Sequence, residues 1–226
     1  NLALKHIKKK FRFERLLTGE ELERLGAQCE QVKLKEARPA PRGVKAFLVC
    51  DEPKKIIEAF HYSQGGQHYY LPEPDPVLIN YNNAYFQLKH LHELRTKLFI
   101  ALAKERMDES IRNEIYAFFG MSMGCITSLF TSLEAAINRM IPDTYVFRKE
   151  QTQRSVLMGK SQIQEFMPVD QKLKEVIKDC TGKDFAKAHP LSWQHIINLK
   201  EFRDMIIHPK TRTGGNTPYD YLFKRA

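Results

Sequence analysis

The chain has 226 residues, which fits one domain of ordinary size or a compact domain with a smaller appendage. An apolar fraction of 42% excludes global disorder. Lys plus Arg exceed Asp plus Glu by 36 − 27 = 9, a positive excess that favours polyanionic partners without choosing among RNA, DNA and anionic membrane.

The N-terminal stretch Leu4–Leu17 is basic and reads as a helix. Thr18-Gly19-Glu20-Glu21 fits a capping box, with Thr18 as N-cap and Glu21 three residues on, so a second short helix is expected to about Gln31. From Val32 to Phe86 the character changes. Val44–Cys50, His68–Leu71 and Val77–Tyr81 read as strands, and Pro39, Pro41, Pro53, Pro72, Pro74 and Pro76 interrupt the region repeatedly. The expectation is a small β-containing or irregular appendage.

Helical periodicity dominates the rest. Leu88, Leu91, Leu94, Leu98 and Leu102 form one apolar stripe. A longer helix is expected from Asp108 to Ile141, with Ile115, Phe119, Ser122, Ile126, Leu129, Leu133, Ile137 and Met140 on its apolar face and Pro142 as its stop. A short connection makes these two an antiparallel hairpin. Ile115–Leu133 is free of charge and nearly long enough to span a bilayer. Its frequent hydroxyls and its two glycines argue for a buried bundle helix, so no membrane role is expected. Asp143–Met158 reads as a looser, charged segment. Ser161–Phe166 and Asp170–Asp179 read as shorter helices, the second closed by Gly182. The last strong helix runs from Ser192 to Ile207, with Trp193, Ile196, Leu199, Phe202 and Ile206 on its apolar face, and Pro209 turns the chain.

The fold class expected is therefore mainly α, an up-and-down helical bundle over 83–210. A smaller mixed or irregular region covers 1–82, and 211–226 is a tail.

Several chemical signals fail on specificity. Cys29, Cys50, Cys125 and Cys180 form no C-x-x-C pair, so no zinc ribbon or redox motif is indicated, and few scattered cysteines with no apolar leader read as a cytoplasmic chain. Gly159-Lys160-Ser161 matches the end of a phosphate-binding loop, but Arg154 stands where the first glycine belongs. Gly120-Met121-Ser122-Met123-Gly124 matches the letters of a nucleophile elbow inside a helix, where the required strand-to-helix turn is not predicted. Among eight histidines no pair has metal-ligand spacing, so neither metal nor cofactor is expected.

The segment Arg203-Asp204-Met205-Ile206-Ile207-His208 offers more. A helix C-terminus favours a protonated imidazole at His208. Arg203 carries a permanent charge in a fork suited to phosphate oxygens. Asp204 can orient either. Cleavage of a phosphodiester by its own 2′-OH needs those services, proton transfer and charge stabilisation, and no metal. The plainer alternative is that Arg203 pairs with Glu201 or Asp204 and that His208 only caps the helix.

Arg203-Asp204 and His208, placed on the last helix, resemble the Arg-polar-x3-His motif of HEPN domains. Ser132-Leu133-Glu134-Ala135-Ala136-Ile137-Asn138-Arg139-Met140-Ile141-Pro142 is similar to that family's earlier helix, and Trp193–Pro209 to its last helix. The resemblance covers about 83–210. It implies an all-α bundle that dimerises so that two Arg-His motifs face one cleft. Many such domains are metal-independent RNases of toxin–antitoxin, phage-defence or RNA-processing systems, while others have lost catalysis and bind nucleic acid, nucleotide or a protein such as an antitoxin. On this resemblance His208 is the acid/base, Arg203 the phosphate stabiliser and Asp204 the orienting group. Glu134 and Asn138, one helical turn apart, are secondary cleft residues. The basic run Lys5, Lys8, Lys9, Lys10, Arg12 and Arg15 is either an RNA-backbone contact or a solvated surface.

Overall fold

The computed structural model describes residues 11–28, 46–50, 54–104, 107–150 and 155–208. The chain is mainly helical with a smaller sheet region. It divides between Ile79 and Asn80 into two compact units.

The first unit is built around one long strand. Strand β3 (Lys55–Gln64) pairs antiparallel with β1 (Glu14–Leu16), β2 (Ala46–Cys50) and β4 (Gln67–Pro72). Ile56, Ile57, Glu58 and Ala59 of β3 are buried, as is Leu17 just after β1. Glu58 donates its N–H to Phe13 and accepts one from Glu73, so β1 and β4 follow each other along one edge of β3, and β2 takes the other. The β3–β4 hairpin turns through Gly65 and Gly66 at φ 59° and 77°, values that only glycine adopts without strain and that suit a two-residue hairpin loop.

Two expectations are corrected here. The described part of Leu4–Leu17 is extended, not helical: Phe11 bridges Pro74 and Glu14–Leu16 is a strand. An open edge of β3 offers ladder hydrogen bonds that outweigh the mild helical character of Arg, Glu and Leu. Val77–Tyr81 is the start of a helix. Asp75 Oδ1 accepts the N–H of Val77 at 2.9 Å, and Pro76 occupies the first turn, where its missing N–H costs nothing. The capping box at Thr18 is formed in both directions, with Thr18 N–H to Glu21 Oε2 at 3.1 Å and Glu21 N–H to Thr18 Oγ1 at 3.3 Å, and it opens α1 (Gly19–Gln28).

The second unit is mainly helical. Helices α2 (Pro76–Ala103) and α3 (Glu109–Met140) form an antiparallel hairpin. Asn83 Nδ2 donates to Ser128 Oγ at 2.8 Å, and Cys125 Sγ lies 3.4 Å from the Ala84 carbonyl. Further along, Leu91 and Leu98 of α2 join Ile111 and Phe118 of α3 in one apolar cluster. Asp108 caps α3 by accepting from the N–H of Ile111. Gly124 meets Gln87 so closely that an added Cβ would lie 2.9 Å from its amide nitrogen. The small residue there permits the approach of α2.

The segment Asp143–Met158, expected to be loose, contains a β-hairpin of β5 (Val146–Glu150) and β6 (Ser155–Gly159). The residue types do not alternate, but the faces do: the paired Phe147 and Met158 pack on the main core while Val146 and Leu157 are exposed. Helix α4 (Lys160–Phe166) follows. Then α5 (Val169–Gln171), a π-helical stretch (Lys172–Ile177) and α6 (Lys178–Thr181) run without a break, ended by Gly182 in the left-handed region at φ 69°. Helix α7 (Phe185–Ala188) leads into α8 (Pro190–Ile207). The main core gathers Phe130 and Ile137 of α3 and Ile141 just after it with Ile163, Met167, Val169, Leu173, Val176 and Ile177. Trp193, Ile196 and Leu199 of α8 pack on its side.

Candidate functional site

The end of α8 carries the residues singled out in the sequence. Its final turns lie against α3, with the Arg203 guanidinium 4.8 Å from the centre of the Phe130 ring, a cation–π contact. Phe130, Glu134 and Asn138 succeed one another at four-residue intervals on α3, so they share one stripe. Arg203 therefore sits one helical turn from the ring position that precedes Glu134. The primary and secondary candidates fall on facing elements of one unit.

Each charge in this cluster has an opposite neighbour. Arg203 Nη1 lies 2.7 Å from Asp204 Oδ1. Lys200, one turn earlier on α8, lies 3.5 Å from Asp170 and 3.9 Å from Asp204. Lys172, whose side chain is fully buried, reaches Glu134 Oε1 at 3.1 Å and the Gln164 carbonyl at 2.9 Å. Three cations thus face three anions. Asn138 accepts Gln164 Nε2 on its backbone carbonyl at 3.2 Å, while its own side-chain oxygen is buried with no hydrogen-bond partner among the described residues.

His208 differs from all of these. It ends α8, its N–H bonded to the Asp204 carbonyl at 3.0 Å, and its side chain is exposed. Within the chain the geometry is that of the plainer alternative: Arg203 is paired with Asp204, and His208 is the C-terminal cap. Pro209 and the tail lie outside the described residues.

The basic N-terminal candidates are less informative. Lys5, Lys8, Lys9 and Lys10 lie outside the described residues. Arg12 pairs with Glu73, whose carboxylate raises the guanidinium pKa further, and Arg15 pairs with Glu21 at 3.0 Å.

The remaining motifs take structural places. Ser122 is buried in α3 and donates back to the Phe118 carbonyl at 2.7 Å, which occupies the hydroxyl an elbow nucleophile would need free. Gly159 precedes α4, a seven-residue helix, with Gln162 closing onto its N–H, and Lys160 pairs with Asp143 at 2.7 Å. His61 and His68 face each other across β3 and β4, ring nitrogens 3.0 Å apart. Among the described residues no three His, Cys, Asp or Glu side chains gather as metal ligands. Helix α3 is long and apolar enough to cross a membrane by length and composition alone.

Sequence reasoning missed Lys172. A lysine one residue before Leu173 gives no sign of being buried; the Glu134 carboxylate and the Gln164 carbonyl opposite explain it. Compared with models of protein families, with curated proteins and with solved structures, the chain matches none.

Proposed function

We propose that the helical unit is a HEPN-like bundle and that the chain is a metal-independent endoribonuclease acting as a homodimer. The observation that carries this reading is the end of α8, where an exposed imidazole at His208 stands one turn beyond the Arg203–Asp204 pair. The cluster lies on the stripe of α3 that bears Glu134 and Asn138. A second copy would bring another Arg203 and His208 to the same cleft. One imidazole would take the 2′-OH proton as that oxygen attacks phosphorus. A protonated imidazole would give a proton to the departing 5′-oxygen, and the guanidinia would hold the non-bridging oxygens. The products would be a 2′,3′-cyclic phosphate and a 5′-hydroxyl. Exposed apolar side chains on the α2–α3 hairpin, including Phe99, Ile100 and Tyr116, support self-association. The proposed setting is a cytoplasmic toxin–antitoxin or phage-defence system, with an antitoxin or other protein as a second partner.

One observation favours a second reading, a non-catalytic module that binds nucleic acid, nucleotide or a protein. Arg203 is already engaged by Asp204 and Phe130, and the surrounding charges balance. Incubation of the full chain with RNA in EDTA separates the two. Cleavage with cyclic phosphate ends, lost in a folded His208→Ala variant, supports the enzyme. Equal cleavage by that variant removes His208 from the site, and no cleavage at high protein concentration leaves the binding module.

A further inference from the structure

The hairpin of β3 and β4 brings together two histidines that the sequence keeps seven residues apart. In its register His61 stands opposite Tyr70 and Ser63 opposite His68, so these four side chains share one face of the sheet. His61 and His68 are diagonal neighbours on that face, within reach of each other's rings. Nε2 of His61 lies 3.0 Å from Nδ1 of His68. The Tyr70 ring stands edge to face with the His61 ring at 5.6 Å and gives that imidazole a fixed neighbour. His61 and Tyr70 are half-buried, while His68 is exposed. The two-residue turn at Gly65-Gly66 leaves the register little slack, so the backbone holds the pair in place.

Two neutral imidazoles at this distance share one proton, an N–H of one ring facing the lone pair of the other. A divalent transition-metal ion can take the place of that proton and accept both lone pairs. Two metal–nitrogen bonds of about 2.05 Å that span 3.0 Å enclose an angle of about 94°. A tetrahedral ion needs its nitrogens about 3.3 Å apart, so the spacing suits the right-angled positions of a tetragonal ion instead. The ring centroids are 5.1 Å apart, so the rings stand nearly end to end, and each must swing for the lone pairs to converge. Imidazole torsions are broad, and the solvent-facing side of this hairpin leaves room for the swing. No third His, Cys, Asp or Glu gathers there among the described residues, which leaves the other positions to water. A site with only two imidazoles favours the ion that binds nitrogen most strongly, and Cu(II) heads the divalent first-row order.

We propose that His61 and His68 form a surface site for a tetragonal divalent metal ion, Cu(II) above all, held by two imidazoles and completed by water. The ion ties β3 to β4 close to their turn. The site belongs to the first unit and stands whether or not the chain cuts RNA.

Copper titration of the tag-free full chain, followed by calorimetry and electron paramagnetic resonance, tests it. The first Cu(II) per chain binds with a tetragonal spectrum split by two nitrogens. His61→Asn and His68→Asn, each with the other six histidines intact, weaken that binding at least about tenfold and lose the two-nitrogen splitting. Equal affinity in wild type and both variants marks adventitious surface binding and overturns the proposal. Zn(II) held as tightly as Cu(II) overturns the tetragonal assignment. If a variant fails to fold, the histidine ring signals of the wild-type chain decide by nuclear magnetic resonance. Selective broadening of His61 and His68 at low Cu(II) supports the site, and uniform broadening of all eight histidines overturns it.

Discussion

The ammonium of Lys172 lies 3.1 Å from the carboxylate of Glu134, with the lysine side chain fully buried and the glutamate partly open. Removing an ammonium from water costs several kcal/mol, and the glutamate together with the Gln164 carbonyl offsets it. Glu134 is thereby the counter-ion of a core lysine, whatever else it does.

Removing one partner of this pair leaves the other unpaired. Glu134→Ala, which leaves the buried ammonium uncompensated, is expected to cost about 3–5 kcal/mol, whereas Lys172→Met combined with Glu134→Leu costs far less. Urea unfolding of the single and double variants checks this. Equal losses in both would show that the pair contributes no more than packing.

Arg203 has two separable roles. Arg203→Ala gives up its contact with the Phe130 ring, about 0.5–2 kcal/mol, a shift of a few degrees in Tm. If the proposed chemistry holds, the same variant loses about 100-fold or more in RNA cleavage. Calorimetry with a cleavage assay on one sample distinguishes the two, and a melt shift without a matching rate loss confines Arg203 to structure.

Gly182 ends α6 at φ 69°, with open space where a Cβ would stand. The cost of Gly182→Ala is therefore one of backbone conformation, about 1–2 kcal/mol, without a clash. Thermal melts measure it, and an unchanged Tm would mean that this helix end relaxes freely.

Tyr145 gives a pH dependence. Burial pushes its phenol pKa above the ordinary value of 10.0, and its hydroxyl, 2.7 Å from Asp179 Oδ2, is held neutral as a donor. The folded value is raised, so the stabilisation is fully present below pH about 10 and declines as pH rises further, where the unfolded chain loses its proton first. Wild type minus Tyr145→Phe, followed by urea unfolding from pH 8 to 11, isolates it. A difference that is flat across that range contradicts the assignment.

Local chemistry made much of this fold readable. Thr18 with Glu21, Asp108 before α3 and Gly182 after α6 each satisfy or end a helix through neighbours within a few residues. Readings failed where an element answers to distant partners. Phe11–Leu16 is helical by composition, but β3 offers it an edge. Val77–Tyr81 carries the apolar run of a strand. The signal that would have corrected it was Asp75-Pro76, a cap followed by a first-turn proline. The paired glycines at 65 and 66 likewise announced a hairpin that the surrounding prolines obscured. At the candidate site, the spacing of Arg203 and His208 was legible. The stacking of Arg203 on Phe130 and the burial of Lys172 were not, because both depend on α3 meeting segments tens of residues away.

The wide stretch Lys172–Ile177 holds one residue more than an α-helix would across the same turn, because its hydrogen bonds span five residues rather than four. Both of its ends are committed, Lys172 to Glu134 and Ile177 to the main core. Deleting one residue inside it lets the backbone relax to ordinary helix while the flanking turns keep their relative orientation. A deletion in an α-helical turn instead rotates everything beyond it by about 100°. The segment is therefore the place on this helical run where the chain can shorten by one residue and keep both its ion pair and its packing.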